Sequence, residues 1–222
     1  MNGVPFQTLL FDIDGTLIDS NDAHAQAWVE ALREHGVDTT FDDVRRLIGM
    51  GGDKLLRSVA RVDEASAQGR SITQLKKQIF VGLLPTLQPT PGARPLLSYL
   101  RGQHVNLVIA TSADDREATA LLAQAGIEDL IPQRATKDDV EESKPDADIV
   151  HAAMVRSNAR VDHTGLIGDT PYDIEAARRA GIRAIALRCG GYWTDRSLHG
   201  AAGVFDDPQA LLAHWRDRDL IG

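Results

Sequence analysis

Residues Leu9–Ser20, LLFDIDGTLIDS, place Asp12 and Asp14 two positions apart at the end of a short apolar run. Aspartate is a poor strand residue, and a like-charged pair at the end of a buried strand costs energy unless something offsets it. Such a pair is either solvated at the strand end or built to do chemistry. Residues two apart in an extended strand point to the same side, so both carboxylates can face one pocket.

Further reactive groups follow later segments. NLVIATSA offers Thr111 and Ser112, VEESKPDADIV offers Lys144 ahead of Pro145, and GLIGDTPYDIEAA offers Asp169 and Asp173. Four carboxylates around one lysine is an unstable charge balance for a crevice. A divalent hard cation corrects it, and carboxylates with water are what Mg²⁺ prefers. Adding an anionic phosphate to Mg²⁺ brings the site close to neutrality.

The elements that must position these groups alternate in type. Leu9–Ile13, Val105–Ala110, Leu166–Ile167 and Ala184–Leu187 read as buried strands. Asp114–Ala125 reads as an amphipathic helix stopped by Gly126, Ile174–Ala180 as one stopped by Gly181, and Ala210–Trp215 as one following Pro208. Pro145 is expected to open another. Strands fed by helices imply right-handed crossovers and a mostly parallel sheet, whose ligand crevice lies beyond the carboxyl ends of the strands.

From about Asn21 to Leu87 only helical patterns occur. Ala27, Trp28, Ala31, Leu32 and His35 form one stripe, stopped by Gly36. Asp42–Ile48 and Lys54–Ala60 are short candidates, and Ser71 with Gln74 reads as a capping box before Leu75, Ile79 and Leu83. A proline-rich return, Pro85–Gly92, closes this inserted helical segment.

In this order, DxDGT, Thr/Ser after an apolar strand, Lys-Pro and GDxxxD resemble the haloacid dehalogenase superfamily of phosphotransferases. Each motif alone is weak, but four in sequence from Phe11 to Asp173 are specific. The resemblance implies an α/β fold: a Rossmann-like, mostly parallel sheet core over residues 1–18 and 89–222, with an inserted α-helical cap over 19–88. It also implies roles. Asp12 is the nucleophile that forms an aspartyl phosphate, and Asp14 protonates the leaving alcohol and then deprotonates water. Burial and like-charge repulsion are expected to raise the Asp14 pKa. Thr111, with Ser112 able to share its task, bonds a phosphoryl oxygen, and Lys144 holds the nucleophile. Asp12, the Asp14 backbone carbonyl and Asp169 ligate Mg²⁺. Asp173 orients Lys144 or a metal-bound water, or simply favours a helix N-terminus, and Gly15 permits the tight turn after the pair.

The cap loop LIGMGGDKLL suggests Gly51, Gly52 and Lys54 as selectors of substrate. Lys54 either neutralises a second charge on the ligand or is a solvated helix-start lysine. His24 stands where related chains often carry a hinge histidine, or is an exposed residue of an Ala-rich helix. The glycines of RCGGYW, Arg188–Trp193, either border the pocket or form an ordinary turn.

These readings favour a Mg²⁺-dependent phosphatase of a small phosphorylated metabolite, similar to phosphoglycolate phosphatases, with phosphoglycolate or a sugar phosphate as substrate. A phosphomutase of the β-phosphoglucomutase kind is the alternative. Phosphonate hydrolysis ranks lower because it needs a cap lysine as a Schiff-base amine. Carbon–halogen cleavage does not need Asp14, and a phospho-acceptor switch would carry its aspartate on a later strand without an inserted cap.

Composition sets outer bounds. The chain has 222 residues and a net charge of -8, which leaves no basic excess for nucleic acid. Its one cysteine, Cys189, cannot form an internal disulfide. No apolar run reaches membrane-spanning length, and the first residues lack a charged region ahead of a long apolar core. A cytoplasmic protein, monomer or homodimer, binding neither nucleic acid nor membrane is expected.

Overall fold

The computed structural model describes residues 5–221. β1 (Thr8–Phe11) is followed by four helices, α1 (Asn21–Glu34), α2 (Phe41–Arg45), α3 (Gly52–Ala60) and α4 (Ala67–Leu83). Then come α5 (Ala93–Gly102), β2 (Asn106–Ala110), α6 (Asp115–Gln124), β3 (Gln133–Ala135) and α7 (Asp148–Ser157). The chain ends with β4 (Thr164–Gly168), α8 (Pro171–Arg179), β5 (Arg183–Leu187), β6 (Gly203–Phe205) and α9 (Pro208–Ile221).

The six strands form one sheet in the order β3-β2-β1-β4-β5-β6, and every pairing is parallel. This is the expected α/β, Rossmann-like core. Alternate side chains serve opposite faces. Leu9, Phe11, Leu107, Ile109, Ile167 and Leu187 pack with α5, α6 and α9, whereas Leu10, Val108, Leu166 and Ala186 pack with α7 and α8. The order reverses between β1 and β4, where open parallel sheets place their ligands. Phe11 is level with Ile109 on one side and Ile167 on the other. That register brings Asp12, Thr111 and Asp169 to the same edge.

Helices α1 to α4 bury an apolar cluster of their own, including Trp28, Leu32, Val44, Leu55, Leu56 and Ile72. Several local expectations need correction. Ser71 does not cap α4; Ser66 does, its hydroxyl accepting the Gly69 N–H at 3.0 Å, while Ser71 lies inside the helix and meets His35 Nε2 at 2.8 Å. Pro145 sits in a turn, and α7 starts three residues later at Asp148. β3 and β6 had no apolar run to announce them, because each is a three-residue edge strand. Among the described residues, no helix is long and apolar enough to cross a membrane.

Candidate active site

β1 is buried on both faces and delivers Asp12 directly past its end, where the Asp12 N–H donates to the Ile167 carbonyl at 2.9 Å. Lys144 Nζ donates to Asp12 Oδ1 at 2.5 Å and to Asp173 Oδ1 at 2.7 Å, and its side chain is wholly buried. Asp173 uses its other oxygen to cap α8, accepting from the Thr170 N–H at 3.1 Å and the Thr170 hydroxyl at 2.6 Å. One residue thus bonds both the start of α8 and the lysine.

Asp169 follows β4. Its Oδ2 accepts from Asn21 Nδ2 at 2.8 Å and its Oδ1 from the Thr16 hydroxyl at 3.3 Å. Gly15 turns at φ 71, and a Cβ there would overlap both Asn21 Nδ2 and the Asp169 carboxylate. Glycine is required at that position for backbone and for space.

Electrostatics divides the carboxylates. Burial pushes Asp12 well above its ordinary range; Lys144 opposes this, while Asp173, Asp169 and Asp14 add repulsion. Asp169 is raised to about 7, by burial first and then by Asp173. Burial disfavours the Lys144 charge, but Asp12 and Asp173 outweigh it and hold the ammonium protonated. Oxygens of Asp12, Asp169 and Asp173 lie within 4.8 Å of one another. Buried acids that repel one another in an all-oxygen set fit a hard divalent cation. The Lys144 ammonium and Thr170 hold Asp173, whereas only the neutral donors Asn21 and Thr16 are seen on Asp169 among the described residues.

Asp14 departs from expectation. Burial raises its pKa, but His24, by charge and hydrogen bond, and then the Ser20 hydroxyl bring it below the ordinary value. His24 Nε2 lies 2.8 Å from Asp14 Oδ1, and the Ser20 hydroxyl donates to the same oxygen at 2.5 Å. Because a carboxylate only accepts, His24 Nε2 carries the proton. His24 is buried and stacks on Phe80 with centroids 3.8 Å apart, so it is not an exposed helix residue.

A cavity of about 90 Å³ opens above these groups, lined by Asp12, Asp14, His24, Trp28, Ser112 and Lys76 among others. Ser112 lines it, and its Oγ is buried with no partner among the described residues. Thr111 is buried behind, its hydroxyl oxygen accepting the Ala113 N–H at 3.1 Å. Of these two residues, Ser112 is the one that lines the cavity.

The loop before α3 contributes less than expected. Gly52 lines the cavity beside Trp28, whereas Gly51 packs on Ser143. Lys54 is a correction: its Nζ donates to the Ser143 carbonyl at 2.5 Å and pairs with Asp146, away from the cavity. The lysines that do line the cavity are Lys76, Lys77 and Lys137, and of these Lys76 is the buried one. A detectable signal was present, since Ile72, Lys76 and Phe80 recur every fourth residue on the buried face of α4. Gly190 does not line the cavity either; it packs on Asp169, and its carbonyl accepts from Asn21 and from Arg45 of α2. The Cys189 thiol bonds the Gly15 carbonyl and is pushed up by burial, so it stays protonated and inert.

The family model described as haloacid dehalogenase-like hydrolase matches residues 9–187. The chain belongs to this family. This haloacid dehalogenase-like hydrolase is 27% identical over 210 residues to a phosphorylated carbohydrates phosphatase of Thermotoga maritima, covering 93% of this chain and 90% of that one. It is 29% identical over 222 residues to a phosphoglycolate phosphatase of Rhodospirillum rubrum, covering 94% and 90%. A crystal structure of a hydrolase from Pseudomonas syringae superposes with a TM-score of 0.88 at 33% identity, over 95% of this chain and 98% of that chain.

Proposed function

We propose that this haloacid dehalogenase-like phosphatase is a Mg²⁺-dependent hydrolase that cleaves a small phosphorylated metabolite through an aspartyl phosphate on Asp12. The observation that carries this reading is Asp12, which lines a cavity together with Asp14 and is bonded by a buried Lys144 that also bonds Asp173. An Asp12 oxygen attacks phosphorus as the ester oxygen departs. Lys144 favours the ionised form of Asp12 against its burial and offsets charge on the transferring group, and Ser112 donates to a phosphoryl oxygen. In the second half, Asp14 takes a proton from water, whose oxygen attacks phosphorus and frees Asp12.

Asp14 is set as a base in the substrate-free protein, so the proton it hands to the leaving alcohol enters with the ester. Asp12, Asp169 and the Asp14 backbone carbonyl are the groups assigned to Mg²⁺, which when bound neutralises their repulsion and polarises the phosphoryl group. Helices α1 to α4 act as a cap over the cavity, excluding water from the first half-reaction. Arg45, Lys54 and Lys76 tie that cap to the sheet domain.

Rapid acid quench during turnover, followed by peptide mass analysis, should find the phosphoryl group on Asp12. Asp12→Asn should lose both the adduct and phosphate release. The phosphomutase alternative separates in the same assay, by isomer formation in place of free phosphate. A phosphoryl group on another residue, or full turnover by Asp12→Asn, overturns the reading.

A further inference from the structure

Beyond Asp14 the cavity wall carries three lysines, and each already has an anion. Lys76 Nζ lies 3.2 Å from Glu117 Oε2, Lys77 Nζ 2.6 Å from Asp114 Oδ2, and Lys137 Nζ 2.6 Å from Glu64 Oε2. All six residues line the cavity. Lys76 is nearly buried and rests 4.8 Å from the centre of the Phe80 ring. Positive and negative groups alternate here and cancel. A ligand carboxylate close to the phosphorus would meet Glu117, Asp114 and Glu64 without a spare cation. Hydroxyls suit the same wall, since each can donate to a carboxylate and accept from an ammonium.

A second observation points the same way. Thr73 Oγ1 is buried and has no partner among the described residues, an uncommon condition for a buried hydroxyl. It lines the cavity and also a larger groove of about 890 Å³ beside α4 and α6. Glu64, Thr73, Lys77, Asp114 and Glu117 line both spaces, so the two adjoin. The groove adds the apolar Val81 and Leu84, the amides of Gln74 and Gln78, and the exposed Arg70 and Arg116 at its rim.

Building on the phosphatase reading, we propose that the leaving group is neutral and polyhydroxylated, of sugar or polyol size, and that Thr73 selects it by bonding one of its hydroxyls. A small acid such as the glycolate of phosphoglycolate is disfavoured, because the wall offers it no free cation. The atoms nearest phosphorus occupy the inner cavity, and the remainder extends into the groove.

The test compares kcat/KM for a panel of neutral sugar and polyol monophosphates, for phosphoglycolate and for p-nitrophenyl phosphate, in the parent protein and in Thr73→Val and Thr73→Ser. The best neutral monophosphate should exceed phosphoglycolate by about tenfold or more. Thr73→Val, which removes an unpartnered hydroxyl and keeps the shape, should lower the ratio of sugar ester to p-nitrophenyl phosphate about tenfold, chiefly through KM. Thr73→Ser should restore most of it. A preference for phosphoglycolate, or an equal effect of Thr73→Val on both esters, overturns the proposal while leaving the phosphatase intact. Absence of phosphate release from every ester, p-nitrophenyl phosphate included, instead removes the phosphatase reading on which it rests.

Discussion

His24 Nε2 donates to Asp14 Oδ1 across 2.8 Å, which ties the first helix after β1 to the second aspartate of the DxD pair. Asp14 is partly buried, and its desolvation alone would raise its pKa; His24 and then Ser20 reverse that. His24→Asn should therefore move the Asp14 titration to higher pH. In pH profiles of kcat/KM, the limb that vanishes in Asp14→Asn should shift upward in His24→Asn. An unshifted limb would show that His24 only fills space against Phe80.

Asp14→Asn removes the proton donor and keeps the shape. An aryl leaving group departs without help, whereas an alkoxide needs a proton in the transition state. Alkyl phosphates should lose about 10²–10⁴-fold in the chemical step and aryl phosphates distinctly less. Single-turnover rates on both ester types check this. Equal losses would remove Asp14 from the acid role.

Lys54 separates two accounts of the loop before α3. Its Nζ pairs with Asp146, whose side chain is 36% exposed, and with the Ser143 carbonyl. A partly solvated pair of this kind is worth about 1 kcal/mol or less. Lys54→Ala should lower the melting temperature by only a few degrees and leave the ranking of substrates unchanged. A reordered substrate panel would return Lys54 to the ligand.

Which features the sequence disclosed follows from their physics. The strands β1, β2, β4 and β5 are buried on both faces, so they read as apolar runs, and the residues after them fall on one edge once the sheet is parallel. Asp12 and Asp169 were legible for that reason, whereas Lys144 and Asp173, in a turn and inside α8, were picked out by the order of the motifs. Edge strands β3 and β6 are three residues long and partly exposed, which leaves no pattern. Contacts between the inserted helices and the sheet domain were hidden as well. Lys54 and Lys76 look alike in a linear chain, and only packing turns one toward Asp146 and the other toward Glu117. The Asp14 pKa direction was misread because burial was counted without His24, whose ring is positioned by Phe80 far along the chain.

Lys144 should matter for folding as well as for chemistry. Its ammonium is wholly buried between Asp12 and Asp173. Lys144→Met would leave two carboxylates without their cation, a change that costs about 3–5 kcal/mol when one partner of a buried pair is removed. Urea unfolding should show a loss of that order at pH 8. The loss should shrink at pH 5, because Asp12, whose pKa is already raised by burial, can take up a proton instead. A loss independent of pH would mean that the cost is packing rather than charge.

Asp169 links pH to metal. Its carboxyl is raised from the ordinary 3.8 to about 7 in the folded protein. Between those values the native state keeps a proton that the unfolded chain has released, so raising pH through this window removes stability from the metal-free protein. Mg²⁺ binds the folded state and needs the ionised carboxylate, so protons compete with it. The stabilisation by Mg²⁺ should therefore be small at pH 5 and large at pH 8. At 100 times the dissociation constant it amounts to about 2.7 kcal/mol, or roughly 5–10 °C for a chain of this size. Thermal melts in MgCl₂ and in EDTA at the two pH values measure it. Equal gains at both would mean that Asp169 is already ionised at pH 5 or is not a ligand. The Asn21→Ala variant, which removes the donor on Asp169 Oδ2, distinguishes these outcomes, because it lowers Mg²⁺ affinity only if Asp169 ligates.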